Sequence, residues 1–293
     1  MKVHLLDGTY ELFRHHFALP PHVTADGRPV AAVRGVIESV LNLFGERDVT
    51  HLGVATDHVI ESFRNDLYDG YKTGAGIDPD LWAQFHPLED ALEAMGVVVW
   101  PMVDFEADDA MAAAAAIADA DPRVEQVLLL TPDKDLGQCV RGDRIVQFDR
   151  RKRLLIDEAG VKAKFGVGPA SIPDYLALVG DTADGYPGLP GWGAKSAAAV
   201  LARYGKLEEI PVHVGKWDVP GLRGAPKLAA TLIDQLADAV LFRTIATVRL
   251  DAVATPVDEL RWTGPTDRFE AVAAQLDAPG LLARAKGLAG RKA

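Results

Sequence analysis

Short apolar segments of strand length alternate with helical patterns along roughly the first half of the chain, and this alternation constrains the fold more than any other feature. A helical spacing of apolar residues covers 33–44, and residues 106–118 form a predicted helix that opens with acids, as suits a helix N-terminus. The predicted strands cover residues 3–7, 51–57, 95–101, 127–131 and 145–148. The alternation is typical of an α/β fold with a largely parallel central sheet flanked by helices.

Composition excludes several classes of protein. The chain has 293 residues, of which 48% are hydrophobic, so it has ample material for a core and is not a disordered protein. The single cysteine, Cys139, excludes a disulfide framework and a multi-cysteine metal site. No apolar run approaches the roughly 20 residues of a membrane-spanning helix. The chain starts directly with a strand pattern and shows no signal peptide, so we expect a cytoplasmic protein.

Carboxylates stand where the predicted strands end. In an open parallel sheet, ligands bind at the carboxyl ends of the strands, and crowded carboxylates repel each other unless cations neutralise them. Oxygen ligands suit Mg²⁺ or Mn²⁺, and two such ions about 3.5–4 Å apart stabilise phosphodiester hydrolysis. Any one acid is better explained as a helix cap or turn residue. As a set they predict a metal site, and the set is Asp7, Asp57, Glu106, Asp108, Asp109, Asp133 and Asp135.

The chain changes character near Gly166, after which short helical segments are separated by glycine and proline. Asp181 and Asp184 stand in a separate Gly-Asp-Thr-Ala-Asp-Gly turn. In the stretch 188–197, glycines allow a loop backbone to approach a phosphate, and a predicted helix follows whose N-terminal amides favour anions. The alternative is a glycine-rich turn between two helices that binds no ligand.

Several motifs in one order carry a family resemblance: Leu5-Leu6-Asp7-Gly8, Phe63-Arg64, Tyr71-Lys72, Glu106-Ala107-Asp108-Asp109, Asp133-Lys134-Asp135-Leu136, Gly180-Asp181-Thr182-Ala183-Asp184, and the glycine-rich stretch 187–197. In their order and spacing, residues 3 to 250 resemble the 5′-nuclease family. This family includes the 5′→3′ exonuclease domains of bacterial DNA polymerase I, phage exonucleases and flap endonucleases. Because no polymerase sequence is present, we expect a stand-alone nuclease.

The resemblance implies a PIN-like sheet core that carries two Mg²⁺ ions, for which Mn²⁺ would substitute. It also implies a helical arch over the core, and a helix–three-turn–helix module that grips DNA and holds one K⁺. One metal group would contain Asp7, Glu106, Asp108, Asp109 and Asp133. The second would contain Asp135, Asp181 and Asp184, with Asp57 as a supporting ligand. The residues assigned to catalysis are Lys72, Asp109 and Asp133.

The resemblance also implies a DNA interface. Lys72 would reach the scissile phosphate, where its charge stabilises developing negative charge. Tyr71 would stack on a base, and Arg14 and Arg64 would contact phosphates. The plainer alternatives are a packed aromatic for Tyr71 and a solvated charge for Arg64. In the hairpin, the residues expected to bind phosphate are Gly191, Gly193, Lys195 and Ser196.

The predicted domains are a nuclease core over residues 1–165, with the arch at 63–90, a DNA-binding region over 166–250, and a segment over 251–293 that packs back on the core.

The chain departs from the family pattern at a few positions. Gly185 stands in place of the usual asparagine and Tyr186 in place of isoleucine, Pro132 replaces a glycine, Thr56 a phenylalanine, and a basic residue expected after Lys72 is missing.

Net charge alone argues against a nucleic-acid partner, since 42 acids outnumber 31 bases and the formal charge is −11. Nine predicted site acids account for most of this excess. DNA binding then depends on local basic residues and should be sensitive to salt. We therefore predict a monomeric, Mg²⁺-dependent nuclease that acts on DNA with free 5′ ends or 5′ flaps, without a membrane partner or organic cofactor. The alternatives are an RNA-directed acid-cluster nuclease and a non-catalytic protein that binds DNA junctions.

Overall fold

The computed structural model describes residues 1–46 and 48–292, so Ala293, the last residue of the predicted C-terminal segment, lies outside the described residues. Over the described residues the chain forms six strands: β1 (Lys2–Asp7), β2 (His51–Asp57), β3 (Val98–Met102), β4 (Gln126–Leu130), β5 (Ile145–Asp149) and β6 (Leu154–Ile156). Over the same residues it forms thirteen α-helices: α1 (Gly8–Ala18), α2 (Ala31–Gly45), α3 (Phe63–Leu67), α4 (Pro79–Trp82), α5 (Phe85–Ala94), α6 (Ala107–Ala120), α7 (Glu158–Phe165), α8 (Ile172–Val179), α9 (Ala194–Tyr204), α10 (Ala225–Asp234), α11 (Leu236–Ala246), α12 (Phe269–Gln275) and α13 (Gly280–Lys292).

The chain divides into two compact units. Unit 1 contains Met1–Ile60, Gly74–Thr131 and Arg249–Ala293. Unit 2 contains Glu61–Thr73 and Pro132–Val248. These units differ from the predicted domain ranges, because residues 132–165 group with the helical region that follows them. The predicted arch range, 63–90, contains α3, α4 and the start of α5, and it is divided between the units after Thr73.

Unit 1 is built on four parallel strands in the order β3-β2-β1-β4, which confirms the predicted parallel sheet. Strand β1 is central, and Val3, Leu5 and Leu6 are fully buried because the sheet is covered on both faces. Gly53 in β2 makes room for the indole of Trp100 in β3, since a Cβ at this position would lie 2.3 Å from the ring. The parallel register brings the carboxyl ends of β1 and β2 to the same edge, with Asp7 beside Ala55 and Asp57 beside Met102.

Helices cover the sheet of unit 1 through their apolar faces. The buried face of α2 includes Val33, Val36, Ile37, Val40 and Leu41, which is the spacing that the sequence predicts for a helix. Helix α6 packs on β1 and β2, and its alanines allow a close approach. The last two helices also belong to this unit, where α12 contacts α5 and α13 contacts α2.

Unit 2 is mainly helical, with β5 and β6 as an antiparallel pair. Helix α8 packs against α9 and α11 around a core that contains Leu176, Val200, Leu201 and Phe242. Gly180 and Gly188 stand on either side of the acidic turn that contains Asp181. At Gly180 and Gly188 the backbones approach so closely that a Cβ on either residue would lie 2.3 Å from the opposite backbone. Within the described part of the chain, no helix combines the length and the apolar character needed to cross a membrane.

Candidate functional site

The acids of unit 1 stand at helix N-termini and accept hydrogen bonds from their own neighbourhood. Asp7 ends β1 and caps α1, where its Oδ1 accepts the amide of Tyr10 at 2.8 Å. Its Oδ2 accepts the hydroxyl of Thr131 at 3.0 Å. Asp57 ends β2, and its Oδ1 accepts a hydrogen bond of 2.9 Å from the amide of Ala107. Ala107 is the first residue of α6. Strand ends and helix starts therefore hold these carboxylates in fixed orientations.

Asp109 is the most deeply placed acid of unit 1, with 0% of its surface exposed. Its Oδ2 accepts the amide of Glu106 at 3.0 Å, in a capping arrangement at the start of α6. Its Oδ1 accepts the amide of Arg249 at 2.8 Å, 140 residues away in the sequence. Asp109 therefore satisfies the buried amide of Glu106 and the partly buried amide of Arg249, which gives it a structural role whatever else it does. Of the other acids at this helix start, Glu106 is buried and Asp108 half-buried.

Three acids of unit 2 lie together, and we call them the unit 2 acid cluster: Asp135, Asp181 and Asp184. One carboxylate oxygen from each lies within 4.8 Å of the others. Among residues 1–46 and 48–292, no other set of three or more His, Cys, Asp or Glu side chains brings ligand atoms so close. The cluster corresponds to the second predicted metal group. Of the first predicted group, Asp133 belongs to unit 2 and the other four members to unit 1, so that grouping stays a prediction.

Local backbone structure assembles the unit 2 acid cluster. Asp181 and Tyr186 exchange backbone hydrogen bonds of 2.8 and 3.1 Å, which close the turn that carries Asp184. Asp135 begins a short 3₁₀ helix, Asp135–Cys139, and its amide donates to Asp133 Oδ1 at 2.8 Å. A closed turn and a helix start therefore present the three carboxylates to each other.

Gly185 in this turn has φ +87°, and a Cβ there would lie 2.2 Å from the carbonyl oxygen of Gly70. The close approach explains why this chain carries glycine where the family pattern has asparagine. An asparagine tolerates the left-handed backbone, but its Cβ would collide with Gly70. The same approach places the Lys72 amide in a hydrogen bond of 3.0 Å with the carbonyl of Asp184.

The electrostatics of the unit 2 acid cluster favour a bound cation. Burial raises the pKa of Asp135 well above its usual range, and the charges of Asp133, Asp184 and Asp181 raise it further. The Oδ1 atom of Asp135 is buried and accepts no hydrogen bond within the described part of the chain. A buried carboxylate oxygen without a donor, beside two more carboxylates, is a suitable ligand set for a hard divalent cation. The residues present therefore fit the metal that the resemblance implies.

Two lysines and a tyrosine complete the surroundings of this cluster. Lys72 Nζ lies 3.0 Å from Asp184 Oδ1, and Lys134 forms an ion pair with Asp181. The Tyr186 hydroxyl is buried without a hydrogen-bond partner among the described residues, and burial together with the nearby acids raises its pKa. Sequence analysis marks Tyr186 only as a departure from the family pattern and assigns it no role, and it assigns none to Lys134, although Lys134 lies between two predicted metal ligands.

The predicted DNA contacts on or near the arch have mixed surroundings. Arg64 is only 3% exposed, and its guanidinium donates to the carbonyls of Ile245 and Thr247 at the end of α11. Tyr71 is 4% exposed and packs in the core of unit 2. These placements match the plainer alternative of a packed aromatic for Tyr71 and give Arg64 a structural role. The phosphate contact of Arg64 and the base stacking of Tyr71 stay predictions.

Arg14 lies in unit 1 on α1, where it forms an ion pair of 2.5 Å with the buried carboxylate of Glu11. The same guanidinium lies 2.9 Å from His15 Nε2. Its side chain is therefore already engaged with its own helix, and its predicted phosphate contact also stays a prediction.

The predicted phosphate-binding hairpin precedes α9. Gly191 has φ +83°, and the Ser196 hydroxyl closes the first turn of the helix through hydrogen bonds with Gly193. Lys195 is exposed, and no hydrogen bond or ion pair holds it within the described part of the chain. A cleft of about 580 Å³ is lined by this hairpin and by a second loop that contains Gly221 and Arg223. The sequence signal for the second loop is Pro220-Gly221 before a helix, which repeats Pro190-Gly191.

Comparison with known proteins finds two family models that match consecutive parts of the chain. The model of the 5′-3′ exonuclease N-terminal, resolvase-like domain matches residues 2–166, and that of the 5′-3′ exonuclease C-terminal SAM fold matches residues 167–268. DNA polymerase I of Pseudomonas aeruginosa is 37% identical over 250 residues, which are 84% of this chain and 27% of the polymerase. The chain therefore spans about a quarter of the length of that relative.

Two further proteins match along most of their length. A 5′-3′ exonuclease of Aquifex aeolicus is 34% identical over 209 residues, which cover 71% of both chains. The zinc-bound T5 5′-exonuclease matches with a TM-score of 0.63 and 19% identity over 100% of both chains, which is a likeness of fold. The two family models and the Aquifex aeolicus relative show that the chain belongs to the 5′-3′ exonuclease family.

Proposed function

We propose that this chain is a Mg²⁺-dependent nuclease that hydrolyses DNA phosphodiester bonds at free 5′ ends and 5′ flaps. The observation that carries the proposal is the unit 2 acid cluster, in which a buried oxygen of Asp135 has no donor among the described residues and lies beside Asp181 and Asp184. Family membership supports the reaction, since two relatives that match over 71% and 87% of their own length are 5′-3′ exonucleases.

We assign one divalent ion to the unit 2 acid cluster. A second ion is assigned to the acids at the strand and helix ends of unit 1, with Asp133 as a further ligand and Asp57 in support. When bound, such ions supply positive charge that stabilises the attacking and leaving oxygens of the phosphodiester. In unit 1 the amides of Tyr10 and Arg249 hold Asp7 and Asp109 in place before any ion arrives. The unit 1 ligands are Asp7, Glu106, Asp108 and Asp109.

The substrate contacts follow from charge and exposure. Lys72 lies at the unit 2 acid cluster, with its ammonium 3.0 Å from Asp184, so a phosphate drawn to that cluster meets a positive charge. Away from the cluster, Lys195 and the amides at the start of α9 offer a phosphate-binding surface on the hairpin. The paired loops at this cleft suit a continuous phosphate backbone, which DNA and RNA share. The choice of DNA as the proposed substrate follows from the family, whose members include DNA polymerase I.

The test compares cleavage of a 5′-flap DNA duplex and of single-stranded RNA, each with and without Mg²⁺. We expect Mg²⁺-dependent cleavage of the flap, and we expect the double substitution Asp181→Asn with Asp184→Asn to remove cleavage while flap binding persists. The matched control is Asp234→Asn with Asp238→Asn, which makes the same charge change at exposed positions of unit 2 and should leave the rate unchanged. Cleavage of RNA alone would favour the RNA-directed alternative. Flap binding by the unaltered chain without cleavage at any Mg²⁺ concentration would favour the junction-binding alternative.

A further inference from the structure

Lys134 takes no part in the proposed reaction, yet it forms an ion pair with a proposed metal ligand. It stands between Asp133 and Asp135, and its ammonium pairs with Asp181 Oδ2. Asp181 is 5% exposed and the lysine 34%, so the pair lies at the edge of the buried cluster. A charge pair in this position is screened less by solvent than one on the open surface.

The two oxygens of Asp181 have different partners. Oδ1 accepts the amide of Ala183 at 3.0 Å, and this backbone donor is fixed by the turn. Oδ2 pairs with the ammonium of Lys134, which lies at the end of a flexible side chain. A cation that uses Asp181 as a ligand can therefore take Oδ2 with little rearrangement of the backbone, but only in competition with Lys134.

The rest of the cluster shows why a lysine is placed there. The three carboxylates repel one another at their short separation, and removing positive charge destabilises such a group. Lys72 pairs with Asp184 and Lys134 with Asp181, while Asp135 retains a buried oxygen without a donor among the described residues. Two of the three acids are thus neutralised by side chains that can move away.

We propose that Lys134 is an internal counterion, which occupies Asp181 in the metal-free protein and is displaced when a divalent cation binds the unit 2 acid cluster. Lys134 then has two opposite effects. It stabilises the metal-free fold, and it lowers the affinity of the site for the metal. The inference rests on the proposed function, because it requires a divalent ion at this cluster.

The first experiment measures Mn²⁺ binding to the full chain by isothermal titration calorimetry, with no DNA present. Lys134→Gln is expected to bind Mn²⁺ at the unit 2 acid cluster on the order of tenfold more tightly than the unaltered chain, because it removes one competing charge. The matched control is Lys152→Gln, which makes the same charge change in unit 2 but breaks the pair of Lys152 with Asp149, 3.5 Å apart. We expect the control to change the affinity less than about twofold, since Lys152 is 71% exposed and pairs with Asp149, which is not a member of the unit 2 acid cluster.

The second experiment measures thermal unfolding of the same three proteins in EDTA and in saturating Mn²⁺. Lys134→Gln should unfold at a lower temperature than the unaltered chain in EDTA, and the difference should narrow or vanish in Mn²⁺. A variant that is unfolded in EDTA and folds on addition of Mn²⁺ would also support the proposal. A variant that is unfolded in both solutions would overturn it, because Lys134 would then be needed with the metal as well.

The two proposals fail in different ways. If the unaltered chain binds no Mn²⁺, the metal-dependent function itself is wrong. If the unaltered chain binds Mn²⁺ and Lys134→Gln binds it equally or more weakly, the proposed counterion role of Lys134 is wrong. The proposed metal site is not affected by that result. An equal gain of affinity in Lys134→Gln and Lys152→Gln would also overturn the counterion, since it would reflect only the net charge of the chain.

Discussion

The acids of unit 1 and those of unit 2 are held in different ways. In unit 1, Asp7 and Asp109 accept hydrogen bonds from backbone amides, with additional support from the hydroxyl of Thr131 for Asp7. In unit 2, Asp181 and Asp184 pair with lysine side chains, and Asp135 has a buried oxygen without a donor among the described residues. A backbone amide cannot move away without a change of the main chain, whereas the ammonium of a lysine can move away by rotation of its side chain. Asp7 and Asp109 are therefore held by the main chain itself, whereas Asp181 and Asp184 pair with side chains that an incoming cation can displace.

Acids that look alike in sequence can differ physically in the folded chain, since some accept backbone amides and others are buried among like charges. A carboxylate with amide donors stabilises the folded state, since its removal strands those donors. A carboxylate buried among other carboxylates destabilises the metal-free state, because burial and like charge both disfavour ionisation. Removing the Asp109 carboxylate and removing the charge of Asp135 should therefore change the free energy of unfolding in opposite directions.

The first prediction is that substitutions of Asp109 and Asp135 change the free energy of unfolding in opposite directions. Asp109→Ala should lower the free energy of unfolding by about 2–4 kcal/mol, since it removes the acceptor of the buried Glu106 amide and of the partly buried Arg249 amide. Asp135→Asn should raise the free energy of unfolding, because it removes a buried charge beside Asp181 and Asp184 while preserving the shape of the side chain. Urea denaturation in EDTA measures both. A loss of stability in Asp135→Asn comparable to that in Asp109→Ala would erase the distinction between the units.

The second prediction separates chemistry from binding within unit 2. Lys72→Ala should lower the single-turnover rate of flap cleavage by about 10²–10³, much more than it weakens flap binding, and Lys72→Arg should restore only part of the rate. Lys195→Ala serves as the contrast, since a phosphate anchor on the hairpin should weaken binding more than the rate. Rapid-quench kinetics and a binding titration give the two quantities. Equal losses for Lys72→Ala would make Lys72 a phosphate anchor as well.

The third prediction concerns pH and a buried group of unit 1. Burial, partly offset by a hydrogen bond with the His51 backbone, lowers the pKa of His4 from 6.5 to about 4. Because this folded-state pKa lies below the unfolded value, the unfolded chain binds more protons between these two pH values. The stability contribution is thus complete above about pH 6.5 and is lost as the pH falls toward 4, with a total of roughly 3 kcal/mol.

Urea denaturation at several pH values between 7 and 4.5 tests the role of His4. The difference in unfolding free energy between the unaltered chain and His4→Gln should shrink as the pH falls, because the glutamine does not titrate. A constant difference across this range would mean that His4 is not the group responsible. The nearby His51, whose pKa is also lowered by burial, remains in both proteins and cancels from the comparison.

The spacing of apolar residues is sufficient to predict several helices and strands of this chain. The spacing of Val33, Val36 and Ile37 predicts α2, and the uninterrupted apolar run from Val3 to Leu6 predicts a buried strand, because side-chain periodicity is a local property. The position of acids after strands also predicts their common edge, since parallel strands end together. The order of motifs along the chain was sufficient to identify the family before any contact was known.

The sequence could not show which of these acids accept backbone amides and which pair with lysine side chains, because those partners are brought together only by folding. The amide of Arg249 that binds Asp109 lies 140 residues away in sequence, and the sequence pattern around Asp109 contains no trace of it. Likewise, the burial of Arg64 and Tyr71 depends on α11 and the core of unit 2, which are distant in sequence. The glycine at position 185 is explained by the carbonyl of Gly70, which a folded backbone alone brings within reach. Hydrogen-bond partners and burial are set by long-range packing, so residue type and spacing could name the acids of this chain but could not say what each one binds.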